Sequence, residues 1–125
     1  MRLLLDTNVL IWWLENSNKL SAFAQMRIAK AAEVFVSSAS IWELAIKVGT
    51  GKLRMDLTVL LSEIARHQFL HLSISYQHAI QVLQLPVIHH DPFDRILLAQ
   101  AISESLKLLT ADRLLASYSN LVEVI

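Results

Sequence analysis

A chain of 125 residues, 54% of them hydrophobic, can bury one core without staples, and its mean hydropathy of +0.46 leaves apolar surface over for a partner or a second copy. Eleven Lys and Arg balance eleven Asp and Glu, so no global charge points to nucleic acid, and any such binding must come from a local patch. The lack of cysteine excludes disulfides, thiolate metal sites and cysteine nucleophiles, the apolar run Val9 to Leu14 is far short of the roughly 20 residues of a membrane span, and Asp6 interrupts what would be a signal peptide, so a cytoplasmic, single-domain protein (1–125) is expected.

Leu3 to Leu5 read as a short strand buried on both faces. The run stops at Asp6, and Thr7 or Asn8 can cap a helix with Val9, Leu10, Trp12, Trp13 and Leu14 on its apolar side. Asp6 therefore lies at the carboxyl end of a strand, where open parallel sheets bind ligands. It either helps to cap the helix or carries chemistry.

Glu15 to Lys19 form a polar turn, and Ser21 begins a helix to about Ala32, with Phe23, Met26 and Ile28 expected inward and Arg27 and Lys30 outward. Val34 to Val36 read as a second strand. Ser40 then opens a helix Ile41 to Val48 closed by Gly49. Ser40-Ile-Trp-Glu43 fits a capping box, so Glu43 either reaches back to the amide of Ser40 or belongs to the same sheet edge as Asp6. Asp56 or Thr58 starts a helix through Leu60, Leu61, Ile64 and Ala65, and Phe69 to Leu72 suggest a third strand. Ser75 caps a helix with Ala79, Ile80, Val82 and Leu83 apolar, ending before Pro86. Val87 to His90 are irregular.

Asp91-Pro92-Phe93-Asp94 then starts a strongly helical, mostly buried segment, Ile96 to Ile102. Asp91 fits the cap and Pro92 the first helical position, which leaves the carboxylate of Asp94 at the rim of the core. Leu106 to Leu109 form a strand ending in Thr110-Ala-Asp112, a repeat of the Asp6 arrangement. Leu114 to Ser117 turn helical, and Val122 to Ile125 supply an edge strand. Strands alternating with helices predict an α/β sandwich on a mainly parallel sheet.

Asp6, Glu43, Asp94 and Asp112 each fall at a helix's first turn, and parallel strands bring their carboxyl ends to one side. Four anions in one concavity repel unless a cation neutralises them, and an all-oxygen set selects Mg²⁺ or Mn²⁺. His89 and His90 precede the cap in a loop and read as positional or exposed. His67, His71 and His78 lack ligand spacing and read as structural or surface.

With Leu4-Leu-Asp6-Thr-Asn8, Ser40-Ile-Trp-Glu43-Leu, His90-Asp91-Pro-Phe-Asp94-Arg-Ile-Leu-Leu-Ala-Gln-Ala101 and Leu109-Thr-Ala-Asp112 in this order, the chain resembles the PIN-domain ribonucleases, and in particular the VapC toxins of bacterial toxin–antitoxin pairs. The resemblance covers essentially the whole chain. It implies a PIN-like three-layer sandwich with a five-stranded, mainly parallel sheet, and a metal-dependent endoribonuclease. Asp6, Glu43, Asp94 and Asp112 match the acidic metal and catalytic residues, and Thr110 a hydroxyl position that orients Asp112 or a metal-bound water. Asp91 remains better explained as a cap. RNA as substrate, a VapB-like antitoxin and a homodimer are implied as partners, with Trp12, Trp13 and Phe23 in the core or on those surfaces. Lys47, Lys52, Arg54 and Arg95 are candidates to guide phosphates, against the plainer reading of a solvated surface with pairs such as Glu43 and Lys47. The alternatives are a PIN nuclease of RNA processing without toxin function, and a non-catalytic interaction module.

Overall fold

In a computed structural model the fold is described for residues 1–87 and 91–125. The chain runs β1 (Arg2–Leu5), α1 (Thr7–Leu14), α2 (Ala22–Lys30), β2 (Glu33–Ser37), α3 (Ser38–Gly49), α4 (Leu57–Arg66), β3 (Leu70–Leu72), α5 (Tyr76–Gln81) with a 3₁₀ turn Val82–Gln84, α6 (Pro92–Glu104), β4 (Lys107–Thr110), a 3₁₀ turn Arg113–Ser117 and β5 (Val122–Val124). The strands form one five-stranded sheet in the order β3-β2-β1-β4-β5, and every neighbouring pair is parallel. The expected sheet is thus present, with no antiparallel edge.

The two-residue period of β1 explains the three layers. Leu3 and Leu5 point to one face, where Val9, Leu10, Leu20, Ala24, Ile28 and Phe69 cover them. Leu4 points to the other, against Ala39, Leu97, Leu98, Ala101 and Leu115. A strand buried on both sides must be apolar throughout, which is why Leu3 to Leu5 show no alternation. Leu108 and Leu109 split between the faces in the same way.

Three local expectations change. On α2 the buried residues are Ala24 and Ile28, continuing from Leu20 just before the helix at a spacing of four, so Phe23 and Met26 fall off this stripe and are exposed. Arg27 instead turns inward and forks onto Glu123 of β5 at 2.6 and 2.7 Å. At the start of α3, Ser37 is the cap, accepting from the amide of Ala39, so the helix begins before Ser40. The helix after Ser75 is short, and Ile80 and Leu83 lie on the surface because the chain tightens into the 3₁₀ turn.

Parallel order decides where the site lies. In the order 3-2-1-4-5, the connections leave β1 in opposite directions, so a crevice opens between the carboxyl ends of β1 and β4. The helices α1 and α3 start from that edge because they follow strands, and α6 starts there because it leads back into β4.

Candidate metal centre

Asp6 ends β1 at the crevice, and its amide donates to the carbonyl of Leu109 at 3.0 Å, which ties it to β4. Its side chain has two anchors. Oδ1 accepts from the amide of Asn8 at 3.3 Å, and Oδ2 accepts from the hydroxyl of Thr110 at 2.5 Å. The residue is only 8% exposed. Asp6 therefore caps α1 from the end of β1, at the crevice.

Burial pushes the carboxyl of Asp6 above its ordinary value of 3.8, against the lowering effect of its hydrogen bonds, and the negative charge of Glu43 pushes it further. Glu43 reaches the neighbourhood of Asp6 through Thr7, the next residue in the chain, whose hydroxyl lies 2.8 Å from Glu43 Oε1. The capping-box reading of Glu43 does not hold. Ser37 has taken the cap, which frees the Ser40 hydroxyl to meet Thr7 Oγ1 at 2.9 Å, while Thr7 Oγ1 lies 2.8 Å from Glu43 Oε1. Thr7 has one proton, so it donates to the carboxylate and accepts from Ser40.

Thr110 is the second hinge of the site. Its Oγ1 donates to Asp6 and accepts from the amide of Asp112 at 3.1 Å. It thus orients the carboxylate of Asp6 and also holds the backbone of Asp112, the residue the resemblance gave it to orient. Asp112 Oδ1 accepts from the amide of Leu114 at 3.0 Å and caps the following 3₁₀ turn.

Asp94 lies in the first turn of α6, at the same edge, half-buried. Its amide and that of Phe93 donate to Asp91 Oδ1 at 3.4 and 2.9 Å, so Asp91 is the cap it was expected to be. Phe93 packs edge-on against Trp42, with ring centroids 5.1 Å apart, and this contact seats the start of α6 beside α3 next to Glu43. The four acids thus share one edge. Among the described residues, however, no three acidic or histidine side chains close round a common point.

The sequence missed Thr7 and Ser40 as parts of the site. Three serines in Ser37-Ser-Ala-Ser40 compete for one cap, and only the start of α3 decides which is left over. Arg95 was a candidate for phosphate, but its guanidinium meets the carbonyls of Pro86 and Val82 at 2.9 and 3.4 Å and Tyr118 Oη at 3.4 Å. It fastens the turn after α5 to α6. His78 is buried and structural, taking the amide of Ser75 on Nδ1 in a capping box while Nε2 faces Glu104 at 2.8 Å. His67 receives the indole proton of Trp13 at 3.3 Å. His89 and His90 lie outside the described residues.

The PIN-domain family model matches residues 3–121. The chain belongs to the PIN-domain family. It is similar to ribonuclease VapC22 of Mycobacterium tuberculosis, at 33% identity over 118 residues, covering 92% of this chain and 90% of that protein. Among solved structures, this PIN domain is similar to VapBC2 of Rickettsia felis bound to a fragment of its promoter DNA (TM-score 0.73, 18% identity, 99% of this chain and 98% of that one). It is also similar to DNA-bound VapBC of Salmonella typhimurium (TM-score 0.68, 18% identity, 100% and 97%). At that identity the structures speak for the fold.

PIN-domain VapC nucleases generally depend on a divalent metal. The atoms of this PIN domain fit a hard divalent cation: two oxygen donors, Asp6 and Glu43, are each held in place by a threonine hydroxyl. Magnesium commonly takes one or two carboxylates and keeps several waters, so a closed cage of three side chains is not required. No helix of the described residues is long and apolar enough to cross a membrane.

Proposed function

We propose that this chain is a metal-dependent endoribonuclease and the toxin of a toxin–antitoxin pair. The observation that carries the reading is the mutual placement of Asp6 and Glu43, each fixed by a threonine hydroxyl at the switch point of a parallel sheet. The relationship to a ribonuclease over nine-tenths of the chain supports RNA as the substrate.

Asp6 and Glu43, with Asp94 and Asp112 at the same edge, would hold Mg²⁺ or Mn²⁺. Such an ion supplies a polarised phosphodiester oxygen and a bound water of lowered pKa. The protein's share is positional. Thr110 and Thr7 fix which oxygens of Asp6 and Glu43 face the crevice, and the backbone of β4 fixes the distance between β1 and Asp112. No side-chain nucleophile is needed, since both threonine hydroxyls donate to carboxylates.

The antitoxin finds an apolar groove of about 650 Å³ between α3 and α4, lined by Ile41, Trp42, Leu61, Ile64 and Phe69. Trp42 is 61% exposed and Leu61 53% in the isolated chain, which suits an amphipathic helix of a partner. A homodimer would cover further apolar surface, such as Ile80 and Leu83.

The test is to sequence RNA ends after incubation with the purified chain. Cleavage with Mg²⁺ or Mn²⁺ that stops in EDTA, and is lost in Asp6→Asn, is expected. Cleavage at the normal rate by Asp6→Asn would overturn the proposal.

A further inference from the structure

Resting on the reading of Glu43 as a metal-binding carboxylate, we infer that Lys47 is the internal counter-ion of the site. It occupies Glu43 Oε2 in the metal-free protein and passes to a phosphate of the RNA when that oxygen takes a divalent cation.

Both oxygens of Glu43 have partners, and the partners differ in kind. Oε1 accepts from Thr7 at 2.8 Å, an uncharged contact whose donor is 3% exposed and is itself held by Ser40. Oε2 faces the ammonium of Lys47 at 3.5 Å, and the side chain of Lys47 is 43% exposed against 18% for that of Glu43. The inner contact is short and built into the core of the crevice. The outer one is a loose ion pair on a flexible four-carbon stem, one turn further along α3, with solvent on its far side.

An ordinary surface pair at this spacing would join two exposed side chains. Here the carboxylate is mostly covered and lies close enough to Asp6 for the two charges to repel, so the ammonium balances part of the negative charge that Asp6 and Glu43 bring together. An ammonium and a divalent cation on the same carboxylate repel each other, so the cation weakens the hold of Glu43 on a lysine that is only 3.5 Å away and partly solvated. Loading of Glu43 therefore loosens Lys47, whose ammonium, within one helical turn of the carboxylate, becomes available to a phosphate of the substrate. Lysine makes sequence-independent phosphate contacts of this kind. The pairing with Glu43 and the guidance of phosphate are then successive states of one side chain.

Lys47→Gln and Lys47→Arg in the full chain test this, with Mn²⁺ binding followed by electron paramagnetic resonance in the absence of RNA. Lys47→Gln is expected to bind Mn²⁺ about three- to tenfold tighter, because the competing charge is gone. Its KM for an RNA oligonucleotide should rise by about three- to tenfold with kcat within about twofold, as for a lost phosphate contact. Lys47→Arg restores the KM, and thermal melting checks that both variants fold. Unchanged Mn²⁺ affinity in Lys47→Gln overturns the counter-ion role, and unchanged KM overturns the transfer to phosphate. A wild-type chain with no saturable Mn²⁺ site would overturn the metal reading itself, a result separable from either.

Discussion

Asp6 occupies a position that costs the metal-free protein stability. Its carboxyl is buried beside Glu43, and its pKa is raised, chiefly by loss of water. A carboxyl with a higher pKa folded than unfolded binds more protons in the folded state between the two values, so stability falls as pH rises through that window. The window opens near the ordinary value of 3.8 and closes above the raised one. Urea denaturation of the metal-free chain across this range should show a downward slope that Asp6→Asn flattens. A difference curve between variant and wild type that is level throughout would count against the burial of a charged Asp6. The same variant should lose cleavage by at least about a hundredfold, the scale on which preorganised electrostatic groups act. Thr7 and Thr110 belong to the same scale. Replacing Thr110 with Val leaves the volume nearly unchanged but removes the donor to Asp6 and the acceptor for the amide of Asp112, so a loss of about 1–3 kcal/mol is expected in chemical denaturation.

At the scale of elements, the molecule is held by strand pairing in the middle and by a few side-chain ties at the edges. Arg27 on α2 and Glu123 on β5 form one such tie, a bidentate pair with side chains 19% and 25% exposed. Because Arg27 holds Glu123 below its ordinary 4.5, the pair stabilises fully above that value and its contribution disappears as pH falls through the lowered one. Glu123→Gln should therefore cost about 1–2 kcal/mol at neutral pH, and its denaturation midpoint should converge on that of the wild type in acid. A constant gap down to strongly acidic pH would show that packing, and not charge, joins α2 to β5. Arg95 is a comparable tie within the α5–α6 region, where two carbonyls and Tyr118 Oη receive its guanidinium.

Over the whole molecule, the function and the fold meet in the linkage between metal and stability. A ligand that binds only the folded chain stabilises it by about 2.7 kcal/mol at a hundredfold excess over its Kd. Added Mn²⁺ should raise the Tm of the wild-type chain, the rise should shrink in Asp6→Asn, and Ca²⁺-free EDTA should reverse it. A Tm indifferent to Mn²⁺ would favour an interaction module that uses the same sheet without chemistry.

The alternation of apolar strands with amphipathic helices was enough to define an α/β sandwich on a parallel sheet, because a strand buried on both faces leaves an unmistakable run such as Leu3 to Leu5. The places of Asp6, Asp94 and Asp112 were legible for a related reason, since each follows a strand or begins a helix whose direction the parallel topology dictates, whereas Glu43, expected in the first turn of its helix, stands in the second because α3 begins at Ser38. Helix facing was less legible. On α2 a small residue, Ala24, rather than Phe23 sits in the core, in line with Leu20 and Ile28 at a four-residue spacing. Only the tertiary structure could assign Ser37 as the cap of α3, free Ser40 for Thr7, turn Thr110 towards Asp6 and set Lys47 against Glu43. Hydroxyls and ammonium groups take partners by distance in space, and distances between residues 33 or 104 positions apart exist only once the sheet has formed.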